Sequence, residues 1–370
     1  MALLGPTSVF AETHVEPEDE ETEYFFLKDL PYGTEAAFGP LNVLLNSGFD
    51  ILRSGSYQNR LGRIDFRGGA ENIIDNSLHP NTNVELSGGW ADFVAHEVFP
   101  YKAFDPDHGH FVPNYFLHVV GEGLLFRKLE EWYDRENYPA PTLSALATIF
   151  ATQFLNEAVE NGSYRGANND PIADILIFNP LGWLLFSSDS VARFFSTTLK
   201  TGFWPGQPSL DLRTMSLYNA GESYYFKVGL NEDESVSFFN YMGAEGLTGL
   251  SFRYLEEDHL TVAAGYRVVW MNATVDEDHR SIVPEQPGNW VASFFWDRND
   301  SLLFSIKVGI TAEPTLRMNL YPGVVEFAGG ELGAFLWTSP GEGVIAGVSF
   351  SVSPLGLAVQ GGGDLSRQIL

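Results

Sequence analysis

From about Ser209 onward, apolar residues recur at every second position, and the two faces they define are the wrong way round for a protein in water. In "SLLFSIKVGI", Leu302, Phe304, Ile306, Val308 and Ile310 share one face, while Ser301, Ser305, Lys307 and Gly309 share the other. "LTVAAGYRVVWMN" opposes Leu260, Val262, Ala264, Tyr266, Val268 and Trp270 to Thr261, Gly265 and Arg267. "GLSFRYL" and "IAGVSFSV" repeat the pattern. A sheet with one face in water covers that face with mixed charge. Here the polar face is Gly, Ser, Thr and a few cations, and the acids gather in turns such as "NEDE", "EEDH", "DEDHR" and "DRND". That arrangement predicts a transmembrane antiparallel β-barrel, apolar toward lipid and polar toward the lumen, with strands of about 9–11 residues. About eleven strand-like segments precede Gln360. Bacterial barrels have even strand numbers, so the expectation is about 10–12 strands. Tyr225, Trp270, Trp290, Trp296 and Trp337 lie near strand ends, as an interfacial aromatic girdle requires.

Composition narrows the partners. Asp+Glu 48 against Lys+Arg 21 gives a formal net charge of -27, which repels nucleic acid phosphates and excludes that class of ligand. With 44% hydrophobic and 14% aromatic residues the chain has enough apolar surface for a large core or a lipid-facing wall. The absence of cysteine removes disulfides, thiolate metal sites and cysteine nucleophiles, and suits an oxidising envelope compartment. No run approaches the roughly 20 apolar residues of a membrane-spanning helix.

The first half reads differently. "TSVFA" followed by "ETH" has the look of a signal-peptide end cleaved after Ala11, making residues 1–11 a signal remnant. No Lys or Arg precedes Lys28, however, so an ordinary flexible tail is the competing reading. Residues 12–110 form a mixed segment, with helices expected in "FGPLNVLLNSGFDIL" and "GGAENIIDNSL" and strands in "RLGRIDFRGG" and "NTNVELSGG". Residues 111–206 are helical. "NYFLHVVGEGLLFRKLEEWYDREN" and "PAPTLSALATIFATQFLNEAVENG" carry stripes at a 3.6-residue period and form a helical hairpin, with small residues of the second suited to Gly121 and Gly123. Asp170-Pro171, Asn179-Pro180 and Asp189 read as helix caps that divide the following apolar run into short helices.

The order of these parts, with "NEAVENG" and "DPIADILIFNPLG" ahead of Gly- and aromatic-rich alternating strands, resembles an uncharacterised family of bacterial outer-membrane proteins over roughly residues 85–350. The resemblance implies architecture and location: a periplasmic-side α-helical domain preceding a barrel in the outer membrane. The whole is then mainly β with a helical segment. The mixed segment lies in the periplasm, the helical domain is 111–206 and the barrel 207–370. Outer-membrane lipids and lipopolysaccharide are the expected partners, with a small solute in the lumen.

Arg253, Arg267, Lys307 and Arg317 fall on the polar face and are candidate lumen-lining residues. They would pair with lumen acids or with an anionic solute. His118–Glu122 at i, i+4 and Glu157–Glu160 at i, i+3 place an imidazole and three carboxylates on facing helices, the donor types of a divalent-metal or acid/base site in a bundle. The Glu-x-x-His repeat of di-iron bundles is missing, so helix capping is the favoured role for these acids and no cofactor is expected. "DPDHGHF" (Asp105, Asp107, His108, His110) reads as a polar turn, and His96-Glu97 lacks a second histidine in register. No catalytic motif is present. The leading functional class is passive: a channel, a solute-binding barrel or a structural envelope component. A membrane-embedded lipid-acting enzyme would use the helical carboxylates or His259 and His279 at the rim. A soluble two-domain binding protein is the third class.

Overall fold

The computed structural model describes residues 23–54, 59–99, 114–267, 270–276, 279–284, 289–309, 315–327, 330–339 and 343–362. The signal-remnant reading of residues 1–11 and the "DPDHGHF" turn lie outside them, as does the side chain of His279.

The period-two segments form strands. Three are short: β1 (Gly202–Phe203), β2 (Ser209–Asp211) and β3 (Ser216–Tyr218). The others are β4 (Ser223–Gly229), β5 (Val236–Gly243), β6 (Glu245–Arg253), β7 (Asp258–Arg267), β8 (Trp270–Asp276), β9 (His279–Pro284), β10 (Trp290–Arg298), β11 (Ser301–Gly309), β12 (Leu316–Phe327), β13 (Gly330–Ser339), β14 (Gly343–Phe350) and β15 (Ser353–Gly361). Thirteen of them make one sheet in the order β1-β4-β5-β6-β7-β10-β11-β12-β13-β14-β15-β2-β3, and β8 and β9 pair with each other. The strand count therefore exceeds the expected 10–12. The excess lies in β1, β2 and β3, parts of a stretch interrupted by Pro205 and Pro208, which have no N–H to give a ladder.

The hydrogen-bonded order is open, ending at β1 and β3. Residues 202–211 nonetheless reach both flanks of the long strands: β1 is antiparallel to β4, and β2 runs parallel to β15 through Ser209–Gly356 and Leu210–Leu357. Beyond β1, Trp204 N–H donates to Ser223 O and Gly206 N–H to Gly221 O, both at 2.8 Å.

Register makes the two faces explicit. Val228, Phe238, Leu250, Val262, Phe294, Ile306, Met318, Leu336, Ala346 and Val359 are successive partners across all ten long strands of the sheet, and every one is apolar. All ten are exposed or half-buried. One residue along, on the opposite face, the row reads Lys227, Phe239, Gly249, Ala263, Ser293, Lys307, Arg317, Trp337, Ile345, Gln360. Lys227, Ser293, Lys307 and Arg317 in that row are buried. A bulge between Trp296 and Asp297 pairs Leu302 with Asp297, so Leu302 turns to the buried face instead of joining Phe304 and Ile306. In the aromatic girdle, Trp290 and Trp296 do lie on the outer face, whereas Tyr225 and Trp337 point inward and are buried.

Helices begin at Gly33, well ahead of residue 111. The strands expected in "RLGRIDFRGG" and "NTNVELSGG" are helical instead: Phe66–Leu78 starts behind Asp65, whose carboxylate accepts from Gly68 N–H, and Pro80–Leu86 has proline at its first position. Gly69 is pressed against Ala158, where an added Cβ would sit 2.1 Å from the carbonyl oxygen, so tertiary packing selects this helix. The long helices Glu122–Arg135 and Pro141–Asn161 do pack together, the second stopped by Gly162 at φ +50°. The glycines of the first have other partners. A Cβ on Gly121 would meet the Tyr224 ring of β4, and one on Gly123 would meet Phe186 and Gly182.

The caps expected at Asp170, Asn179 and Asp189 are also revised. Each residue is the first of its helical turn, and no side-chain cap bond forms at the preceding position. Residues 170–186 run as one helix through a π turn at Asp174–Phe178. That wider turn accommodates Pro180, which cannot donate the regular i→i−4 bond. Among the described residues no single helix is long and apolar enough to cross a membrane.

Candidate functional site

The buried face of the sheet holds an ionic network built from alternate strand positions. Lys227 on β4 donates to Asp297 Oδ2 at 2.6 Å and to Asp300 Oδ1 at 2.9 Å, and lies over the rings of Trp204 and Tyr225. Asp300 also receives Lys28 at 2.6 Å, which ties the N-terminal segment to the β10–β11 turn. Lys307 donates to Glu245 Oε2 and to Tyr241 Oη, each at 2.8 Å. Arg317 approaches Glu245 Oε1 at 3.5 Å through Nη1 and stacks 4.2 Å over the Trp337 ring. Arg267 stands opposite Glu245 in register and donates to the carbonyl of Arg53, itself delivered by the turn Asp50–Ser54. Between the two ionic groups lies an aromatic layer of Trp204, Tyr225, Phe239, Tyr241 and Phe295, with Trp204 and Tyr225 stacked at 4.0 Å.

Three of the four expected lumen cations are thus brought together. Arg253 is not among them: it is exposed at the end of β6 and donates to the carbonyl of Asp233. Lys227, Glu245, Asp297 and Arg53 were missed by sequence reasoning. Parity within the strands marks the first three, since each is a charged residue at an inward-pointing position. Arg53 comes from a separate turn, and nothing local announces it.

The helical candidates split into two groups. His118 Nε2 lies 3.3 Å from Asp174 Oδ2, and Nδ1 lies 3.1 Å from Asn179 Oδ1. Burial pushes the imidazole down to about 4, so it is neutral, with Nδ1–H donating to Asn179. Burial, then the charges of Glu157, Asp170, Glu97 and Glu160, push Asp174 well up, with its Oδ2 facing His118 Nε2. Glu157 and Glu160 therefore act on Asp174 through charge. Glu122 faces elsewhere. It is 0% exposed, and burial together with neighbouring Glu222 and Asp50 raises it well above an ordinary carboxyl. Glu222 is itself pushed up to about 7, first by burial and then by Asp50, while Tyr224 donates to its Oε2 at 3.1 Å.

The alternative of a metal site on these helices gains no support. Among the described residues no set of three or more His, Asp or Glu side chains is arranged to hold a metal ion. His118 and Glu122, adjacent on one helix face, serve two different neighbours because the helix is wedged between the 170–186 helix and β4. His259 lies 3.8 Å from Asp297 and pairs with no hydroxyl nucleophile among the described residues. No family model, curated protein or solved structure matches the chain.

Proposed function

We propose that the protein is an outer-membrane β-barrel with a filled interior, carrying its helical domain on the periplasmic side, and that it acts as a structural or solute-binding envelope component. The observation that carries this reading is the ten-strand row of apolar partners on the exposed face, set against lysine, serine and arginine on the buried one. A continuous apolar wall of this kind is far larger than the patches of soluble monomers, and it has the inside-out polarity that lipid demands. Closure is supported by residues 202–211, which bond β4 at one end and β15 at the other, because an unpaired sheet edge is not tolerated in hydrocarbon. Lipids and lipopolysaccharide would then contact the Val262 row and its neighbours.

The aromatic layer and the Lys227–Asp297 pair occupy the interior, which favours a plugged barrel over an open channel. A pocket lined by Thr34, Asn42, Gln207, Tyr321 and Ser349 holds about 20 Å³, room for one water. An enzymatic reading lacks a nucleophile beside either His118 or His259 among the described residues.

The test is fractionation of the expressed chain, followed by electrophoresis with and without heating. Recovery in outer membranes with heat-modifiable migration is expected, together with silent planar bilayers. A protein that is monodisperse without detergent refutes the proposal.

A further inference from the structure

We propose that the helical domain is itself seated in lipid, with the outward faces of helices 141–161 and 170–186 sunk among acyl chains beside the barrel. Both helices are inside out. Between Leu143 and Phe154 the exposed positions are Leu143, Ala147, Phe150 and Ala151, and between Ile175 and Phe186 they are Leu176, Leu181, Leu184 and Leu185. Leu143 is 67% exposed and Leu184 72%. No Asp, Glu, Lys or Arg lies between Glu136 and Glu157 or between Asp174 and Asp189, although 19% of the chain is charged. The polar groups turn inward instead. Thr152, Gln153 and Glu157 of the first helix are buried, and Asn156 donates to the Ser47 carbonyl at 2.6 Å. Asp174 and Asn179 of the second are buried against His118.

Lipid is the occupant that this polarity selects. A surface helix in water turns its apolar stripe to the core and its charges outward. Helices that turn ionisable and amide groups to their neighbours, and Leu and Phe outward, have the arrangement of protein in hydrocarbon. The same domain supplies the contrast. Helix Phe66–Leu78 exposes Arg67, Glu71 and Asp75, with Arg67 and Glu71 paired at 2.8 Å on the surface, so that side of the domain is suited to water. A protein partner calls for a different surface, because interfaces between proteins are only about as apolar as the rest of the molecule and carry a polar rim. Here the outward rows run about 17 Å from Leu143 to Phe154 and about 14 Å from Leu176 to Leu185, with only apolar side chains at their exposed positions. The inversion is that of the sheet, where Val262 and Ile306 point outward while Lys307 and Arg317 are buried. Helices and sheet are also joined: Lys227 N–H donates at 2.9 Å to the Leu199 carbonyl, just beyond the last helical turn, and Gly121 packs on the Tyr224 ring. One partner, the acyl chains, therefore accounts for both apolar surfaces.

This inference rests on the outer-membrane reading and deepens it, since it makes lipid the partner of the helices as well as of the strands. The chain has no cysteine, so a single introduced thiol reports one position. Phe150→Cys, Leu184→Cys, Glu71→Cys and Val262→Cys are each labelled in the full chain with an environment-sensitive fluorophore and folded into phosphatidylcholine vesicles. Quenching by bromine on the acyl chains is then compared with quenching by iodide in the water. At Phe150→Cys and Leu184→Cys, bromine should quench at least threefold more strongly than iodide, and at Glu71→Cys the order should reverse. Iodide quenching at either helix position equal to that at Glu71→Cys overturns the proposal. Protection from both quenchers overturns it too, because protein rather than lipid then covers these faces. If Phe150→Cys does not fold, Leu143→Cys probes the same face. Val262→Cys separates the failures: bromine quenching there with iodide quenching on the helices loses only the lipid contact of the domain, whereas iodide quenching at Val262→Cys as well loses the barrel.

Discussion

Replacing Val262 by arginine separates a lipid-facing sheet from a water-facing one, because the two environments give opposite results. Val262 sits mid-strand on β7, between Leu250 and Phe294 in register, and is 52% exposed. The outward positions of β7 run Leu260, Val262, Ala264, Tyr266, a span of about 20 Å along the strand, and Val262 is near its centre. In water a half-exposed valine on a sheet surface accepts arginine within about 0.5 kcal/mol. At the midplane of a bilayer the same change costs about 2–4 kcal/mol. That is roughly a 30- to 1,000-fold loss in the folding equilibrium. The assay is denaturant titration of wild type, Val262→Ala and Val262→Arg into phosphatidylcholine vesicles, with outer-membrane recovery scored in cells. Val262→Ala provides the baseline for lost side-chain volume. Should Val262→Arg match Val262→Ala within 0.5 kcal/mol, the outer face does not meet lipid and the reasoning fails.

Three further outcomes follow from the buried charges and the helix crossings. Glu222 is held up to about 7 against an ordinary 4.5, so its contribution is present below pH 4.5 and is lost as pH rises through 7. This costs roughly 3 kcal/mol between pH 5 and 8. Thermal unfolding followed by circular dichroism should show that loss, and Glu222→Gln, which removes the titrating group, should flatten it. Lys227→Met leaves Asp297 buried without its lysine, at a cost of about 3–5 kcal/mol, most of which Lys227→Met/Asp297→Leu should recover in the same vesicle titration. Gly182→Ala would place a Cβ 2.5 Å from the Val119 carbonyl oxygen, so the melt should register about 1–3 kcal/mol of overpacking.

How much of this was legible in the sequence differs between the halves. The strand faces were readable because parity is a local property: Ser305, Lys307 and Gly309 fall on one side whatever the rest of the chain does. Where a bulge intervenes the inference breaks, which is why Leu302 was assigned to the wrong face. The helices at 122–135 and 141–161 were readable from their stripes, while 66–78 and 80–86 were not. In that region Gly68, Gly69, Gly88 and Gly89 imitate strand boundaries, and the fit of Gly69 against Ala158 is invisible without the fold. Pro180 looked like a helix start and is tolerated inside one, because a π turn absorbs the missing donor. The electrostatic coupling of Glu122 to Glu222 joins residues 100 positions apart in the chain, so no spacing rule reports it.

The parallel contact between β15 and β2 also bears on how the chain matures. Every other neighbour pair from β4 to β15 is antiparallel and joins strands adjacent in the chain or separated only by the β8–β9 hairpin. Such a sheet can grow by accretion as each hairpin emerges, with little chain entropy lost at each step. The β15–β2 seam instead links Gly356 to Ser209, roughly 150 residues back, and cannot form until β15 has been made. The sheet is therefore completed by a single long-range zipping event. A chain stopped before β15 would carry nine of the ten long strands of the apolar wall with one edge unsealed, the state in which a chaperone has most to shield and a second chain most to pair with.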